Sequence, residues 1–301
     1  MTVSLPSPPL RFDTISFLSD YGLDDEFVGV VKSVIRSLAP DVMVIDITHN
    51  IAPHDLRAGG LALARASQYL APGVVIAVVD PGVGGARRAV ALEVGDGQSI
   101  LVGPDNGLLA PAVAMCGGAT AAFELDNPQF HLLTADSGVG VTFAGRDIFA
   151  PVAAHLCLGV ELRELGTEID AESLLPGLIP VARNEPDAVI AEVLWVDRYG
   201  NAQLNIDPTD IESLGSAVCV RAHESVRRAL FASTYGELSS GVVGLVVDSY
   251  GLLSLCVDRG SAALELRIAA GDEVRIERTE ADAATEGVGQ PIALRKRGNT
   301  S

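Results

Sequence analysis

Short β-branched runs alternate with helix-periodic stretches in the first third of the chain, and this alternation constrains the fold more than any other feature. Three buried strands are predicted, at Thr14 to Leu18, Val42 to Ile47 and Val74 to Val79. Two helices are predicted between them, from Phe27 to Leu38 behind the candidate N-caps Asp24 and Asp25, and from Leu56 to Leu70. This order predicts an α/β domain with a mostly parallel sheet covered by helices on both faces.

The remainder of this first domain adds a hairpin and a further helix. Ala89 to Val94 and Ile100 to Val102 flank a Gly-Asp-Gly turn, which predicts a hairpin appended to the sheet. Asp147 to Leu158 is predicted to be helical. The proline-rich and polar stretch from Leu175 to Asp187 then indicates a linker, so the α/β domain is predicted to span residues 11–178.

The sequence after this linker changes to short strands separated by turn residues. Six strands are predicted, at Ala188 to Val196, Ala202 to Ile206, Ala217 to Val220, Val242 to Val247, Leu253 to Val257 and Glu273 to Glu277. Their spacing predicts a small antiparallel β-barrel domain over residues 187–278. Residues 279–301 are polar and rich in Gly and Ala, and they are predicted to form a mobile tail.

Charge and composition narrow the range of partners. The formal net charge is −18, from 21 basic and 39 acidic residues, and such a surface repels nucleic acid and anionic membranes. The four cysteines lie far apart with no clustered histidine, so neither a disulfide framework nor a metal site is predicted. The first dozen residues lack the features of a signal peptide, and no apolar run reaches the roughly 18 residues that span a bilayer. A cytoplasmic location is therefore predicted.

Two carboxylates follow strands of the predicted sheet, at its carboxyl edge. Asp20 comes directly after the first strand and Asp80 directly after the third. Ligands of open parallel sheets bind at this edge, where the two side chains would be able to hydrogen-bond ribose hydroxyls or orient a nucleophile. Each aspartate is equally compatible with a helix cap or a turn. Neither a GxGxxG nor a GxxxxGK[ST] motif is present, so a dinucleotide fold and a P-loop are not supported.

Seven segments taken together resemble a known enzyme family. They are SDYGLDDEFVG (Ser19 to Gly29), IDITHNIAPHD (Ile45 to Asp55), VVDPGVGGARR (Val78 to Arg88), VGPDNGLL (Val102 to Leu109), TFAGRDIFAP (Thr142 to Pro151), VDRYGNAQLNI (Val196 to Ile206) and SYGLLSLCVDRGSAA (Ser249 to Ala263). In this order and spacing, they resemble the S-adenosylmethionine hydroxide adenosyltransferases, the adenosine-forming S-adenosylmethionine hydrolases related to fluorinase and chlorinase. The resemblance covers roughly residues 11–278.

The resemblance implies an N-terminal α/β domain joined to a C-terminal β-barrel in a homotrimer. It places the substrate between the first domain of one subunit and the second domain of its neighbour. S-adenosylmethionine is then the substrate and no cofactor is needed. The expected reaction is in-line attack of water or hydroxide on the ribose C5′ carbon, which yields adenosine and methionine.

The same resemblance assigns roles to substrate-binding residues. In the first domain, Asp20 would hold the ribose hydroxyls and Asp25 would lie near the methionine end. In the second domain, two residues are expected to contact methionine: Asp197 its ammonium group and Ser249 its carboxylate end. Adenine would be contacted by Asn201 at its edge, by Tyr235 on its face, and by the backbone of Val257 to Arg259. Considered on their own, Asp197 and Asn201 are equally compatible with shaping a hairpin turn.

The expected catalytic group is an Asp, Arg and His triad that positions and polarises water. Asp80 and Arg87 match two of its members, and their retention favours water over halide. Ala144 occupies the position of the expected histidine. This alanine is interpreted either as a substitution introduced at a catalytic position or as a natural variant with altered activation of water. His54 lies where the halogenases carry a pocket tryptophan, and it would contact the sulfonium end or cap a helix.

Three other functions stay open at this point, of which a mainly structural trimer explains the polar residues at ligand positions least well. A non-catalytic adenosine or S-adenosylmethionine binding protein would explain the missing histidine. A halide-using adenosyl transferase would exploit the space that Ala144 and Gly145 leave for an anion. The products formed from S-adenosylmethionine with and without halide separate these alternatives from hydrolysis.

Overall fold

The computed structural model describes residues 10–132, 140–215 and 217–279 and divides into two compact units near residue 179. The boundary falls inside the predicted linker, although residues 183–185 of that linker form a short strand. Of the predicted tail, residues 280–301 lie outside the described residues. Among the helices of the described ranges, none has the length and apolar character that crossing a bilayer requires.

The first unit is built on a seven-stranded sheet in the order β2-β1-β3-β5-β4-β6-β7. Its strands are β1 (Thr14–Ser19), β2 (Met43–Thr48), β3 (Val74–Val78), β4 (Ala89–Val94), β5 (Ser99–Pro104), β6 (Ala119–Glu124) and β7 (Thr167–Glu168). Its helices are α1 (Phe27–Leu38), α2 (Leu56–Ser67), α3 (Ala110–Met115), α4 (Ala150–Cys157) and α5 (Leu162–Leu165). Strands β2, β1, β3 and β5 are parallel, and β4, β6 and β7 extend the sheet with antiparallel pairings.

Alternate residues of β3 divide the first unit into two core layers. Val74, Ile76 and Val78 belong to one layer, which contains the buried faces of α1 and α4. Val75 and Ala77 belong to the other, together with buried residues of α2 and α3. Because successive side chains of a strand point to opposite faces, this division confirms the prediction of a sheet covered by helices on both sides.

Three local predictions for this unit need correction. Helix α1 begins after Glu26, and neither Asp24 nor Asp25 caps it. The hairpin formed by β4 and β5 is not appended to the sheet, because β5 also pairs in parallel with β3 and is an interior strand. The helix predicted from Asp147 to Leu158 consists of a π-helical turn at Gly145–Phe149 followed by α4.

The second unit is a closed seven-stranded β-barrel with one additional edge strand, β8. Its strands are β8 (Arg183–Glu185), β9 (Ala188–Val196), β10 (Ala202–Leu204), β11 (Ala217–Ala222), β12 (Ser225–Phe231), β13 (Val243–Val247), β14 (Leu253–Val257) and β15 (Glu273–Arg278). Pairing of β9 with both β10 and β15 closes the barrel. A short helix, α6 (Ala262–Leu266), follows β14. The prediction of a barrel is confirmed, while β12 was missed and pairs in parallel with β13.

Candidate active site

An ion pair between Asp80 and Arg87 lies in the loop that follows β3. The Arg87 Nε atom donates to both carboxylate oxygens of Asp80, at 2.9 and 3.0 Å, and its Nη2 atom donates to Oδ2. The side chains are 5% and 14% exposed, and the guanidinium stacks 5.6 Å from the centroid of the Phe149 ring. A two-pronged contact of this kind, largely shielded from water, fixes both groups in one orientation. The two residues assigned to the triad thus form an ion pair, and their catalytic role stays a prediction.

Asp20 and Asp80 line the same cavity of about 340 Å³ at the carboxyl edge of the sheet. Asp20 directly follows β1, and its Oδ2 atom accepts a hydrogen bond of 2.9 Å from the backbone N–H of His54. Asp25, which is exposed, lines the cavity as well. The first unit therefore brings together all the site residues predicted within it. In the described part of the chain, no three His, Cys, Asp or Glu side chains converge to hold a metal ion.

Tyr21 lines this cavity and was not identified from the sequence. Its ring packs edge-on against Phe17 and Phe143, and its hydroxyl group lies against the backbone of Gly145. Burial raises the pKa of the phenol, and the nearby carboxylates of Asp20 and Asp80 raise it further. Tyr21 consequently stays protonated and contributes a neutral hydroxyl to the site.

Ala144 is buried and lines the cavity beside Phe143 at the start of the π-helical turn. The methyl group carries no donor or acceptor, so the structure supplies no proton-transferring side chain from this position. Gly145 does not add open space, because a β-carbon at this position would collide with the Tyr21 hydroxyl. Tyr21 occupies the direction that a Gly145 side chain would take, whereas Ala144 lines the cavity, and the expected space for an anion stays a prediction.

His54 contributes to the site through its backbone and its place in the cavity wall. It adopts a left-handed conformation, with φ of 69°, which is uncommon for residues other than glycine. This conformation directs its N–H to Asp20. The cap of α2 is Asp55, whose side chain accepts from the backbone N–H of Ala58, so His54 does not cap that helix.

In the second unit, Asp197 and Asn201 form the tight turn between β9 and β10. Asp197 Oδ1 accepts from the N–H groups of Tyr199 and Asn201, at 2.8 and 2.9 Å. Asp197 Oδ2 accepts from Asn201 Nδ2 at 2.8 Å. Gly200 has a φ of 85°, and Ser261 packs where its β-carbon would be. The turn-shaping contacts that the sequence allowed are thus present, and they fix both side chains in place.

A second network fixes the turn between β13 and β14, which carries Ser249. Asp248 Oδ1 accepts from the backbone N–H groups of Tyr250 and Leu252, at 2.8 and 3.2 Å. Asp248 Oδ2 accepts from Gln203 Nε2 at 2.6 Å and from Ser254 Oγ at 3.1 Å. Gln203 and Ser254 are both buried, so this turn is anchored to the barrel wall, and Ser249 is exposed at its tip.

Tyr235 and the segment after β14 complete the predicted residues of this unit. Tyr235 lies in a short 3-10 turn and is 43% exposed. Partial burial raises the pKa of its phenol, and the nearby Cys256, Asp197 and Asp248 raise it further. Its surroundings therefore include both turns described above. Val257 ends β14, and Arg259 has a φ of 51° in the turn that follows. Within the barrel unit, Ser249 and Arg259 lie in the turns on either side of β14, and Asn201 directly precedes β10, which pairs with β14.

Comparisons with known proteins point to one family. Residues 15–166 match the SAM hydroxide adenosyltransferase N-terminal domain, and residues 191–275 match the corresponding C-terminal domain. A Salinispora tropica protein named (R)-S-adenosyl-L-methionine hydrolase is 45% identical, with 87% of this chain and 97% of that protein covered. A Nocardia brasiliensis fluorinase is 26% identical, with 89% and 97% covered.

A solved structure shows the same likeness. An uncharacterized conserved protein from Thermotoga maritima is 34% identical and superposes with a TM-score of 0.81. The match covers 88% of this chain and 100% of that protein. Both the family models and this structure extend over the two units.

Proposed function

Because the chain belongs to the SAM hydroxide adenosyltransferase family, we propose that it hydrolyses S-adenosylmethionine to adenosine and methionine. The observation that carries this proposal is the Asp80–Arg87 pair, held by several hydrogen bonds in the cavity that Asp20 also lines. A carboxylate and a guanidinium fixed side by side are suited to orienting a water molecule and polarising it.

The proposed chemistry is a single in-line displacement. The water oxygen forms a bond to C5′ while the C5′–S bond breaks, and the bonding electron pair leaves on sulfur as the neutral thioether of methionine. Asp80 holds the water in line and accepts one of its protons, and Arg87 favours its hydroxide character through its positive charge. Alignment of this water within a site that excludes bulk water supplies much of the rate enhancement.

Substrate recognition is proposed to come from both units. In the first unit, Asp20 binds the ribose diol and Asp25 lies near the methionine end. In the second unit, Asp197 and Ser249 bind the methionine ammonium and carboxylate, while Asn201, Tyr235 and the backbone from Val257 to Arg259 bind adenine. The contacts of Asp197 within its turn leave its negative charge in place, which supports attraction of an ammonium group.

The expected assembly is a homotrimer in the cytoplasm, with each site completed by the neighbouring subunit. Analytical ultracentrifugation should then give three times the mass of the 31.3 kDa chain. Mixing an inactive Asp80 variant with an inactive second-unit variant should restore part of the activity. In mixed trimers, some sites then combine an unaltered first unit from one subunit with an unaltered second unit from its neighbour. A monomer with full activity would contradict the trimeric arrangement.

Products identified by mass test the proposed reaction directly. Incubation with S-adenosylmethionine should yield adenosine and methionine, and adding chloride or fluoride should not produce a 5′-halo nucleoside. The Asp80 carboxylate repels a halide, which supports water as the nucleophile. A 5′-halo product would instead establish a halogenase.

A non-catalytic binding protein is the second candidate, and the methyl group at Ala144 is the observation that favours it. If no adenosine forms while S-adenosylmethionine binds and is recovered intact, this second function holds. Single-turnover measurements with a large excess of protein over substrate make even slow hydrolysis detectable.

Replacing Asp20 with alanine should weaken adenosine binding. Two charge-assisted hydrogen bonds to the ribose hydroxyls are lost, and bonds to charged groups contribute about 1.5–3 kcal/mol. Calorimetric titration with adenosine measures the change, and 2′,3′-dideoxyadenosine is the matched control because it lacks both hydroxyls. It should bind the native protein and the Asp20→Ala variant with equal affinity. Unchanged adenosine affinity in the variant would rule out the ribose role.

Tyr235→Ala should also weaken adenosine binding, whereas Tyr235→Phe should leave it nearly unchanged. Stacking of a base on an aromatic ring is worth about 1–3 kcal/mol by alanine substitution, and phenylalanine preserves the ring. The same calorimetric titration measures both variants. Equal losses in the two would show that the hydroxyl, and not the ring face, makes the contact.

A further inference from the structure

We propose that His49 is a positioning residue of the reaction, which acts by fixing the turn that carries Asp20 and Tyr21. This inference rests on the proposed function, since it assigns His49 to the support of the ribose-binding carboxylate. The sequence gives His49 no partner at a recognisable spacing, and its role arises from the sheet register.

A register shift between β1 and β2 brings His49 beside Ser19. Phe17 pairs with Asp46, but the next residue, Leu18, pairs with Thr48. This β-bulge advances β2 by one residue, so that Ser19, the last residue of β1, lies beside His49, which directly follows β2. His49 and Ser19 are both buried, with 4% and 0% of their surface exposed.

Two hydrogen bonds link His49 to the turn, and a third holds the turn to Ser19. Its Nδ1 atom lies 2.8 Å from Ser19 Oγ, which in turn accepts from the Tyr21 backbone N–H at 3.3 Å. The His49 carbonyl oxygen accepts from the Gly22 N–H at 2.8 Å. On the other side, His49 Nε2 lies 3.1 Å from Asp46 Oδ1. His49 therefore contacts the turn through both its ring and its backbone.

The Ser19 hydroxyl is the hydrogen-bond partner of the His49 ring, and Asp46 lies beside the other ring nitrogen. The Ser19 oxygen accepts from the Tyr21 N–H, so the hydroxyl proton of Ser19 is free to be donated to His49 Nδ1 as its acceptor. Lys32 Nζ holds the second oxygen of Asp46 at 2.6 Å. The hydrogen bonds at Ser19 run in one direction, from the Tyr21 N–H through the Ser19 hydroxyl to His49 Nδ1. Such an ordered chain of bonds is stiffer than isolated contacts.

Asp20 lies between the two residues that this chain holds. Its own backbone N–H donates to the Val78 carbonyl at 3.2 Å, and its side chain receives the His54 N–H. With Ser19 and Tyr21 fixed on either side, the Asp20 carboxylate has one direction into the cavity. Loss of the His49 Nδ1 contact would leave the buried Ser19 hydroxyl proton without its acceptor, and Ser19 and the Tyr21 N–H bonded to it would shift to provide another.

Two substitutions of His49 distinguish the contributions of its two ring nitrogen atoms. His49→Asn retains an acceptor near the Nδ1 position and loses the reach to Asp46, whereas His49→Gln retains the reach and loses the short contact with Ser19. We expect His49→Gln to raise the adenosine Kd about 10-fold and to lower kcat/KM by about 10- to 100-fold, since small misplacements in a site have effects of this size. His49→Asn should change either quantity less than about 3-fold. His155→Asn, a half-buried histidine on α4 that contacts Phe130, is the control for loss of an imidazole from the same unit.

A double-mutant cycle tests whether His49 acts through Asp20. In an Asp20→Ala background, His49→Gln should no longer change the adenosine Kd, because effects of residues on one pathway are not additive. Ser19→Ala is the milder second variant, and it should reproduce the effect of His49→Gln if the larger substitution fails to fold. Thermal melting shows which variants are folded.

The proposal is overturned if folded His49→Gln and Ser19→Ala proteins bind adenosine and turn over substrate as the native protein does. It is equally overturned if His49→Gln has the same effect with and without Asp20, since the role is then only structural. Failure of the proposed function looks different, because the native protein would itself form no adenosine. The adenosine affinities still test the positioning role in that case.

Discussion

Replacing Ala144 with histidine should raise the rate of adenosine formation, with an upper limit set by the about 10²- to 10⁴-fold that general acid–base catalysis contributes. The alanine is buried in the wall of the cavity that also contains Asp80 and Tyr21. A histidine there would add a group able to accept the proton of the attacking water. Single-turnover release of adenosine at saturating S-adenosylmethionine measures the gain.

The pH dependence identifies how the new histidine acts. A general base works in its neutral form, so the gain should grow as pH rises through about 6.5, the ordinary pKa of histidine. Ala144→Gln is the matched control, because it fills the same space and cannot transfer a proton at this pH. Substrate affinity should change little in either variant. A histidine variant that binds substrate and is no faster at any pH from 6 to 9 would overturn the triad assignment, and His54 would be the next group to test.

Replacing Asp80 with asparagine should lower the rate of adenosine formation by about 10²- to 10³-fold, the usual effect of removing one oriented electrostatic group. The amide still accepts a hydrogen bond from water through one oxygen, but it carries no charge and accepts no proton. Adenosine affinity should stay within about 3-fold, since the residue acts on the nucleophile and not on the nucleoside.

Stability has to be measured beside this rate. Asp80→Asn leaves the Arg87 guanidinium without its carboxylate, and breaking a buried ion pair from one side costs about 3–5 kcal/mol. Asp105→Asn provides a matched control, because it disrupts the neighbouring Arg88–Asp105 ion pair, whose carboxylate is also 5% exposed and lies outside the cavity. Thermal melting should show both variants destabilised, and only Asp80→Asn should lose activity. Equal activities in the two variants would remove Asp80 from the mechanism.

The sequence allowed the first unit and its carboxylates to be placed because the relevant signals are local. The strands of the parallel core are short apolar runs, and Asp20 and Asp80 follow two of them directly. Tyr21 and His49 were missed for the opposite reason. Their partners, Gly145 and Ser19, are distant in sequence, and the contact with Ser19 depends on a bulge that no local pattern reveals.

Strand β12 and the interior position of β5 also differ from the sequence-based predictions, and both differences have physical explanations. Strand β12 carries Arg227 and Arg228 next to each other, so it lacks the regular alternation that identifies a half-buried strand. The interior place of β5 is fixed by its pairing with β3, which nothing within the hairpin sequence specifies. In the candidate site, turn geometry at Asp197 and Asn201 was foreseen as an alternative, and the structure contains it.

Closure of the barrel has a consequence for how the protein is made. Ala188, at the beginning of β9, pairs with Glu277, near the end of β15, so the first and last barrel strands are neighbours. Contacts between such distant residues form slowly, because a long loop must be ordered before they contribute stability. The first unit, built from local strand–helix–strand contacts, is able to fold while the ribosome is still translating the second. The barrel can close only after β15 has left the ribosomal exit tunnel, so we expect its folding to follow that of the first unit.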